Sequence, residues 1–178
     1  KSTRMGRDKA ELIFAGQSLL DRTISLLESI GSERILISGR EGFSDSVPDI
    51  LSHCGPPGGL HACLETLFEE GKLKDHPLLI VPLDMPYLNE SVLKILLSNM
   101  AGESACHFEG EVLPCALRAS VQLREHLREL FLDSHELGGL RSMRAILEFC
   151  HSRPLSKQSL AGTVFKNINT PEDYENSL

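Results

Sequence analysis

Two short apolar runs limit what this chain can fold into. Arg34-Ile35-Leu36-Ile37-Ser38 and Pro77-Leu78-Leu79-Ile80-Val81 are aliphatic between their ends. A strand of that kind is normally covered on both faces, so helices are expected above and below the sheet. Neighbouring segments supply them. Leu20, Ile24, Leu27 and Ile30 repeat at helical spacing between Ser18, which caps, and Gly31, which stops. Leu60, Leu64, Leu67 and Phe68 follow the sharp Gly55-Pro56-Pro57-Gly58-Gly59 turn, and Val92, Leu93, Leu96 and Leu97 follow a cap at Asn89. Further helices are expected over 121–132 and 139–149, and further strands over 12–14, 104–108, 112–117 and 163–165. The pair within 104–117 has no helix between its members and is expected to run antiparallel. At the end Thr170 reads as a cap, Pro171 as the first helical residue, and Glu172 and Asp173 as acids in the first turn. The pattern predicts an α/β fold, a doubly wound, mostly parallel sheet with helices on both faces, in one domain over 1–178.

In such a sheet, ligands sit at the carboxyl ends of the strands. Asp84 lies there, held between Pro82 and Pro86 after the most apolar strand. The opening residues, Lys1-Ser2-Thr3-Arg4-Met5-Gly6-Arg7-Asp8-Lys9, bring cations, hydroxyls and a glycine into one loop that runs straight into an apolar segment. Arg4 offers a planar fork of donors and Lys9 a compact point charge, two ways of binding phosphate. A carboxylate facing such a loop suits Mg²⁺, which takes one or two carboxylates together with ligand phosphates. Asp49, in the loop before Gly55, is a candidate contact to a ribose or base, although most loop aspartates bind nothing. Asn167 and Asn169 flank Ile168, so an extended backbone would put both amides on one face. Such amides can read a heterocycle or satisfy loop backbone. This set of groups fits phosphoryl or nucleotidyl transfer by positioning and charge neutralisation, with no covalent intermediate.

Composition removes other classes. A net charge of -7 disfavours a protein built for duplex DNA or an anionic membrane. Two tyrosines, seven phenylalanines and no tryptophan are a poor supply for stacking nucleic-acid bases. Five cysteines, none in a C-x-x-C pair, read as reduced thiols in a cytoplasm, with neither a disulfide framework nor a zinc site. No run approaches the roughly 20 apolar residues of a membrane span. The phosphate-loop signature G-x-x-x-x-G-K-[ST] and the dinucleotide signature G-x-G-x-x-G are both missing.

Four segments together resemble one family. Residues Ser2 to Lys9 are similar to the S-x-R-M-G-x-D-K part of the nucleotidyltransferase signature L-x-G-G-x-S-x-R-M-G-x-D-K. Gly55-Pro56-Pro57-Gly58-Gly59-Leu60 resembles the G-P-L-A-G-L turn, and Val81-Pro82-Leu83-Asp84-Met85-Pro86 the P-C-D-M-P metal strand. Asn167-Ile168-Asn169-Thr170-Pro171-Glu172-Asp173 resembles the N-x-N-T-P-E-D close of the molybdenum cofactor guanylyltransferases. The resemblance implies a Rossmann-like nucleotidyltransferase fold and an Mg²⁺-dependent reaction. GTP and molybdopterin, the substrates, would give the guanine dinucleotide cofactor and pyrophosphate, with a molybdoenzyme or cofactor-insertion protein as partner. Arg4 and Lys9 would hold the triphosphate, Asp84 the metal, Asp49 the nucleoside, and Asn167 and Asn169 the pterin side. A central strand and an L-x-G-G loop would precede Lys1. Gly39 stands where the family often has asparagine, which keeps two alternatives open: a cytidylyltransferase, or a sugar or alditol phosphate nucleotidyltransferase. A non-catalytic nucleotide-binding module for cofactor delivery is the alternative outside enzymes.

Overall fold

A computed structural model describes residues 8–40, 42–43, 45–51, 54–74, 76–132 and 141–175. Strand β1 (Ile13–Phe14) turns back through Ala15 and Gly16, both at positive φ, to pair antiparallel with β2 (Gln17–Ser18). Two successive positive-φ residues match the twist of a tight hairpin. Ser18 then caps α1 (Leu19–Ser29), its hydroxyl accepting from the Asp21 amide at 3.0 Å. Chain order continues with β3 (Ile37–Ser38), β4 (Ser46–Val47), α2 (Gly55–Glu69), β5 (Pro77–Ile80) and α3 (Glu90–Ser98). Then come β6 (Ala105–Phe108), β7 (Cys115–Arg118), α4 (Val121–Leu132), α5 (Met143–Phe149), β8 (Arg153–Leu155) and α6 (Pro171–Glu175).

The larger sheet has the order β5-β7-β6-β8. Strand β7 is antiparallel to β5 and β6, and β6 is parallel to β8, so three strands run one way and β7 alone is reversed. The antiparallel pairing expected between 104–108 and 112–117 is thus present. Alternate residues feed two cores, as the two-residue period of a strand requires. Leu78, Ile80, Ala105, Cys115 and Leu117 pack with Leu60 and Leu64 of α2, Leu123 and Leu127 of α4, and Met143 and Ile146 of α5. Leu79, Cys106, Phe108 and Ala116 pack with Val92, Leu93 and Leu96 of α3, while Leu26 and Leu27 of α1 and its C-cap Ile30 pack against them half-buried. The protein is an α/β fold with helices on both faces of its sheet.

Three local expectations need correction. The run at 34–38 forms only the two-residue β3, paired in parallel with β4, and Ile35, Leu36 and Ile37 are half-buried. Its first residue is turned to ion pairing: Arg34 bonds Asp45 at 3.0 Å and Glu70. The strand expected at 163–165 is a 3-10 turn, Gly162–Phe165. There Val164 is buried in the second core and Phe165 packs on Phe108 at 5.1 Å, so these side chains fill space between layers. The sheet edge beside β6 belongs to β8, whose Pro154 suits an edge position. The helix expected from residue 139 starts at Met143, capped by Ser142, and residues 133–140 lie outside the described residues.

A third, smaller cluster joins the two ends of the described chain. Leu12, Phe14 and Leu19 bury against Ile168, with Tyr87 and Tyr174 around them. The Tyr174 hydroxyl donates to the Ile13 carbonyl at 2.7 Å.

Candidate active site

Asp84 sits in the turn after β5, and its backbone carbonyl accepts from the Ile168 amide at 2.7 Å. That bond ties the carboxyl end of the strand to the segment carrying both asparagines. Ile168 itself is fully buried in the third cluster. Lys9 begins a 3-10 turn, Lys9–Glu11, capped by the Asp8 carboxylate, which accepts from the Ala10 amide at 3.1 Å. Ala10 is buried, so the backbone under Lys9 is anchored.

The Lys9 ammonium donates to Asp84 Oδ2 at 3.0 Å and to Asn169 Oδ1 at 2.9 Å. The partners lie 75 and 160 residues away along the chain. The Lys9 and Asp84 side chains keep 20% and 27% of their exposure, enough to admit a ligand and enough burial to strengthen the pair. Asn169 is held from its other side. The Asp173 carboxylate accepts from the Asn169 and Thr170 amides, both at 2.9 Å, and the Asp173 amide donates to Thr170 Oγ1 at 3.1 Å. The Asn169 amide, followed by the Thr170 groups, keeps the Asp173 carboxyl below its ordinary range. The reciprocal pair is a helix cap used to place an amide.

A second polar group lies at β3. Asp49 accepts from Ser38 Oγ at 3.2 Å, and a Cβ on Gly39 would lie 3.1 Å from Asp49 Oδ2. A Cβ on Gly59 would come within 2.3 Å of Ser38 Oγ, so α2 approaches β3 closely because residue 59 has no side chain. Arg40 links this group to the first: its guanidinium donates to Asp8 Oδ1 at 2.8 Å, next to Lys9. Burial raises the Asp8 pKa, but bonds from Arg40 and the Ala10 amide outweigh it and hold the carboxyl below its usual range.

The structure therefore joins Lys9, Asp84 and Asn169 directly. Asp49 stands beside Ser38 and Gly39, and Asn167 does not reach Lys9. Its Oδ1 is buried with no hydrogen-bond partner among the described residues. Arg4 lies outside the described residues. Sequence reasoning passed over Arg40 and Ser38; a cation directly after a strand-ending glycine was the signal available for Arg40. A cavity of about 220 Å³ against α5, lined by residues including His107, Arg144, His151 and Ser152, holds none of these groups.

Among the described residues no three His, Cys, Asp or Glu side chains gather in a metal cluster. The donors at Lys9 are hard oxygens, one carboxylate and one amide, already converging on a cation. That chemistry fits Mg²⁺, whose remaining ligands are commonly waters and substrate phosphates. Burial raises the Cys63, Cys106 and Cys150 thiols to about 11, so these sulfurs stay protonated. No helix among the described residues is long and apolar enough to cross a membrane.

A strand-end carboxylate, a loop lysine and the Asn169 amide thus meet at the carboxyl end of β5 in this α/β fold. The sequence profile of the MobA-like NTP transferase domain matches residues 1–154, and the chain belongs to that family of enzymes. It is 31% identical to the molybdenum cofactor guanylyltransferase of Xanthomonas euvesicatoria, over 98% of this chain and 87% of the relative. It is 30% identical to the molybdenum cofactor guanylyltransferase of Rhizobium meliloti, over 97% and 84%. The fold is similar to 2-C-methyl-D-erythritol 4-phosphate cytidylyltransferase from Thermus thermophilus, with TM-score 0.64, 15% identity and 95% and 91% of the two chains covered. It is also similar to Rv0371c from Mycobacterium tuberculosis, with TM-score 0.64, 16% identity and 99% and 92% covered.

Proposed function

We propose that this chain transfers GMP from GTP to the terminal phosphate of molybdopterin, releasing pyrophosphate. The observation that carries the reading is the meeting of Lys9, Asp84 and Asn169 on one point. Each comes from a separate motif, and the meeting place is the carboxyl end of β5. Lys9, with Arg4, holds the triphosphate and balances charge at the α-phosphorus. An acceptor phosphate oxygen attacks that phosphorus in line, a new P–O bond forms, and the bond to the β-phosphate oxygen breaks as pyrophosphate departs. Asp84 is the ligand for Mg²⁺, which when bound would neutralise phosphate charge. Asp49, fixed by Ser38, contacts the nucleoside. Asn167 and Asn169 border the pterin side, and the buried Asn167 oxygen has no hydrogen-bond partner among the described residues.

The names of the curated relatives support the choice of guanine and of this acceptor. The reading places the protein in the cytoplasm, handing its product to a molybdoenzyme or an insertion protein. The test is pyrophosphate release from GTP or CTP, with and without molybdopterin, in the presence of Mg²⁺. Release with GTP that requires molybdopterin supports the reading. Preference for CTP, or turnover indifferent to molybdopterin, overturns it.

A further inference from the structure

We infer that Lys9 is a latch on the cation position: without nucleotide its ammonium occupies the Asp84 oxygen that a divalent metal needs, and a polyphosphate has to draw it away. The inference rests on the proposed transfer reaction and adds an order of events to it. The backbones that carry both oxygens are fixed independently of Lys9. Asp84 is tied through its carbonyl to the Ile168 amide at 2.7 Å, and the Asn169 amide bonds the Asp173 carboxylate at 2.9 Å. The Lys9 backbone is fixed too, by the Asp8 cap and the buried Ala10. Of the three groups, the lysine ammonium has the longest reach, on a flexible four-carbon stem.

Charge and space then set the order. The ammonium stands 3.0 Å from Asp84 Oδ2 and 2.9 Å from Asn169 Oδ1. Mg²⁺ would bind a carboxylate oxygen at about 2.0–2.1 Å, so Asp84 Oδ2 could not hold the metal and keep the ammonium in its present place. A free divalent ion would also meet a positive neighbour, with Asp84 the one carboxylate bonded to Lys9 among the described residues. A triphosphate changes this balance, because its oxygens accept the ammonium and supply the remaining metal ligands. Metal and nucleotide therefore enter together, and metal alone binds only in the fraction of molecules whose lysine has swung out.

The test is Mn²⁺ binding to the nucleotide-free chain, followed by the electron paramagnetic resonance of free Mn²⁺. Lys9→Met, which keeps the stem and removes the charge, should bind Mn²⁺ about tenfold or more tightly than the wild type, the reciprocal of the open fraction. Equal affinity in the two proteins, with Asp84→Asn still abolishing binding, overturns the latch and leaves Asp84 as the metal ligand. Mn²⁺ binding that survives Asp84→Asn undiminished overturns that assignment and the latch with it. A second measurement needs only the wild type, with the Lys9 ammonium nitrogen resonance assigned by its loss in Lys9→Arg. The resonance should shift with GTP and Mg²⁺ together and stay nearly unchanged with Mg²⁺ alone. An equal shift from Mg²⁺ alone would sink the proposal.

Discussion

Two clusters of charged and polar side chains in this protein are built in opposite ways. At the candidate active site, Lys9, Asp84 and Asn169 lie partly open to solvent, and each bond between them is short and direct. Between α2 and α4, His61, Glu65 and Arg124 are largely buried. Arg124 bonds Glu65 at 2.7 Å and stacks on Phe68 at 3.6 Å, while His61 stacks on Phe131. In that second cluster His61 Nε2, Glu65 Oε1 and Arg124 Nε have no hydrogen-bond partner among the described residues. Buried and incompletely partnered charges bear on stability, because desolvation is large there and water cannot compensate. The first cluster can exchange partners; the second can only be broken. Substitutions should therefore separate catalysis from stability along this line.

The sharpest test is Asp84→Asn, which should lower turnover by about a thousandfold or more, since metal-assisted charge neutralisation is worth several kcal/mol. Its urea midpoint should stay close to the wild type. A large stability loss with turnover intact would place Asp84 with the buried cluster instead. Arg124→Ala should do the reverse. Leaving Glu65 buried without its partner costs about 3–5 kcal/mol, read as a lowered urea midpoint. Turnover per folded molecule should change little. Lys9→Ala comes next, with turnover down by about a hundredfold, on the scale of losing one preorganised charge at a transition state. Its melting temperature should fall far less than that of Arg124→Ala, because water can reach Asp84, 27% exposed, once the lysine is removed.

The smallest effect concerns pH. Burial, partly opposed by Glu65, holds the His61 pKa below 6.5. A histidine whose folded value is depressed binds fewer protons when folded, so its contribution is complete above pH 6.5 and declines as pH falls below that value. Urea midpoints from about pH 8 to about pH 5 should therefore decrease toward acid, and His61→Phe should flatten part of that slope. An unchanged slope in His61→Phe would assign the acid sensitivity to His107 and His126, whose values are lowered by burial in the same way.

Features carried by neighbouring residues were legible before any fold was known. Ser18, Asn89 and Thr170 cap the helices they were expected to cap, each within three residues of the amide it accepts from. The three helix stripes form as expected, except that Phe68 is exposed, and so does the reversed strand pair. The candidate site was legible as residue types: Lys9, Asp84 and Asn169 were all marked. What escaped was long in range. The run at 34–38 was read as a fully buried strand, yet Arg34 reaches Asp45 and Glu70 and only two residues pair in a ladder. The residues at 163–165 have strand-like composition and fill a gap between layers instead. Arg124 resembles any surface arginine on a helix; its burial depends on where α2 packs.

Local order was thus written in the residues themselves: caps, apolar stripes, turn glycines and the chemical kinds of group at the site act over a few positions, through hydrogen bonds and periodicity. Which groups meet was decided only by the tertiary structure. Lys9, Asp84 and Asn169 converge because Ile168 buries beside Leu12 and Phe14 and hands its amide to the Asp84 carbonyl. That arrangement depends on apolar surface from both ends of the chain leaving water together, and no short stretch of sequence contains it.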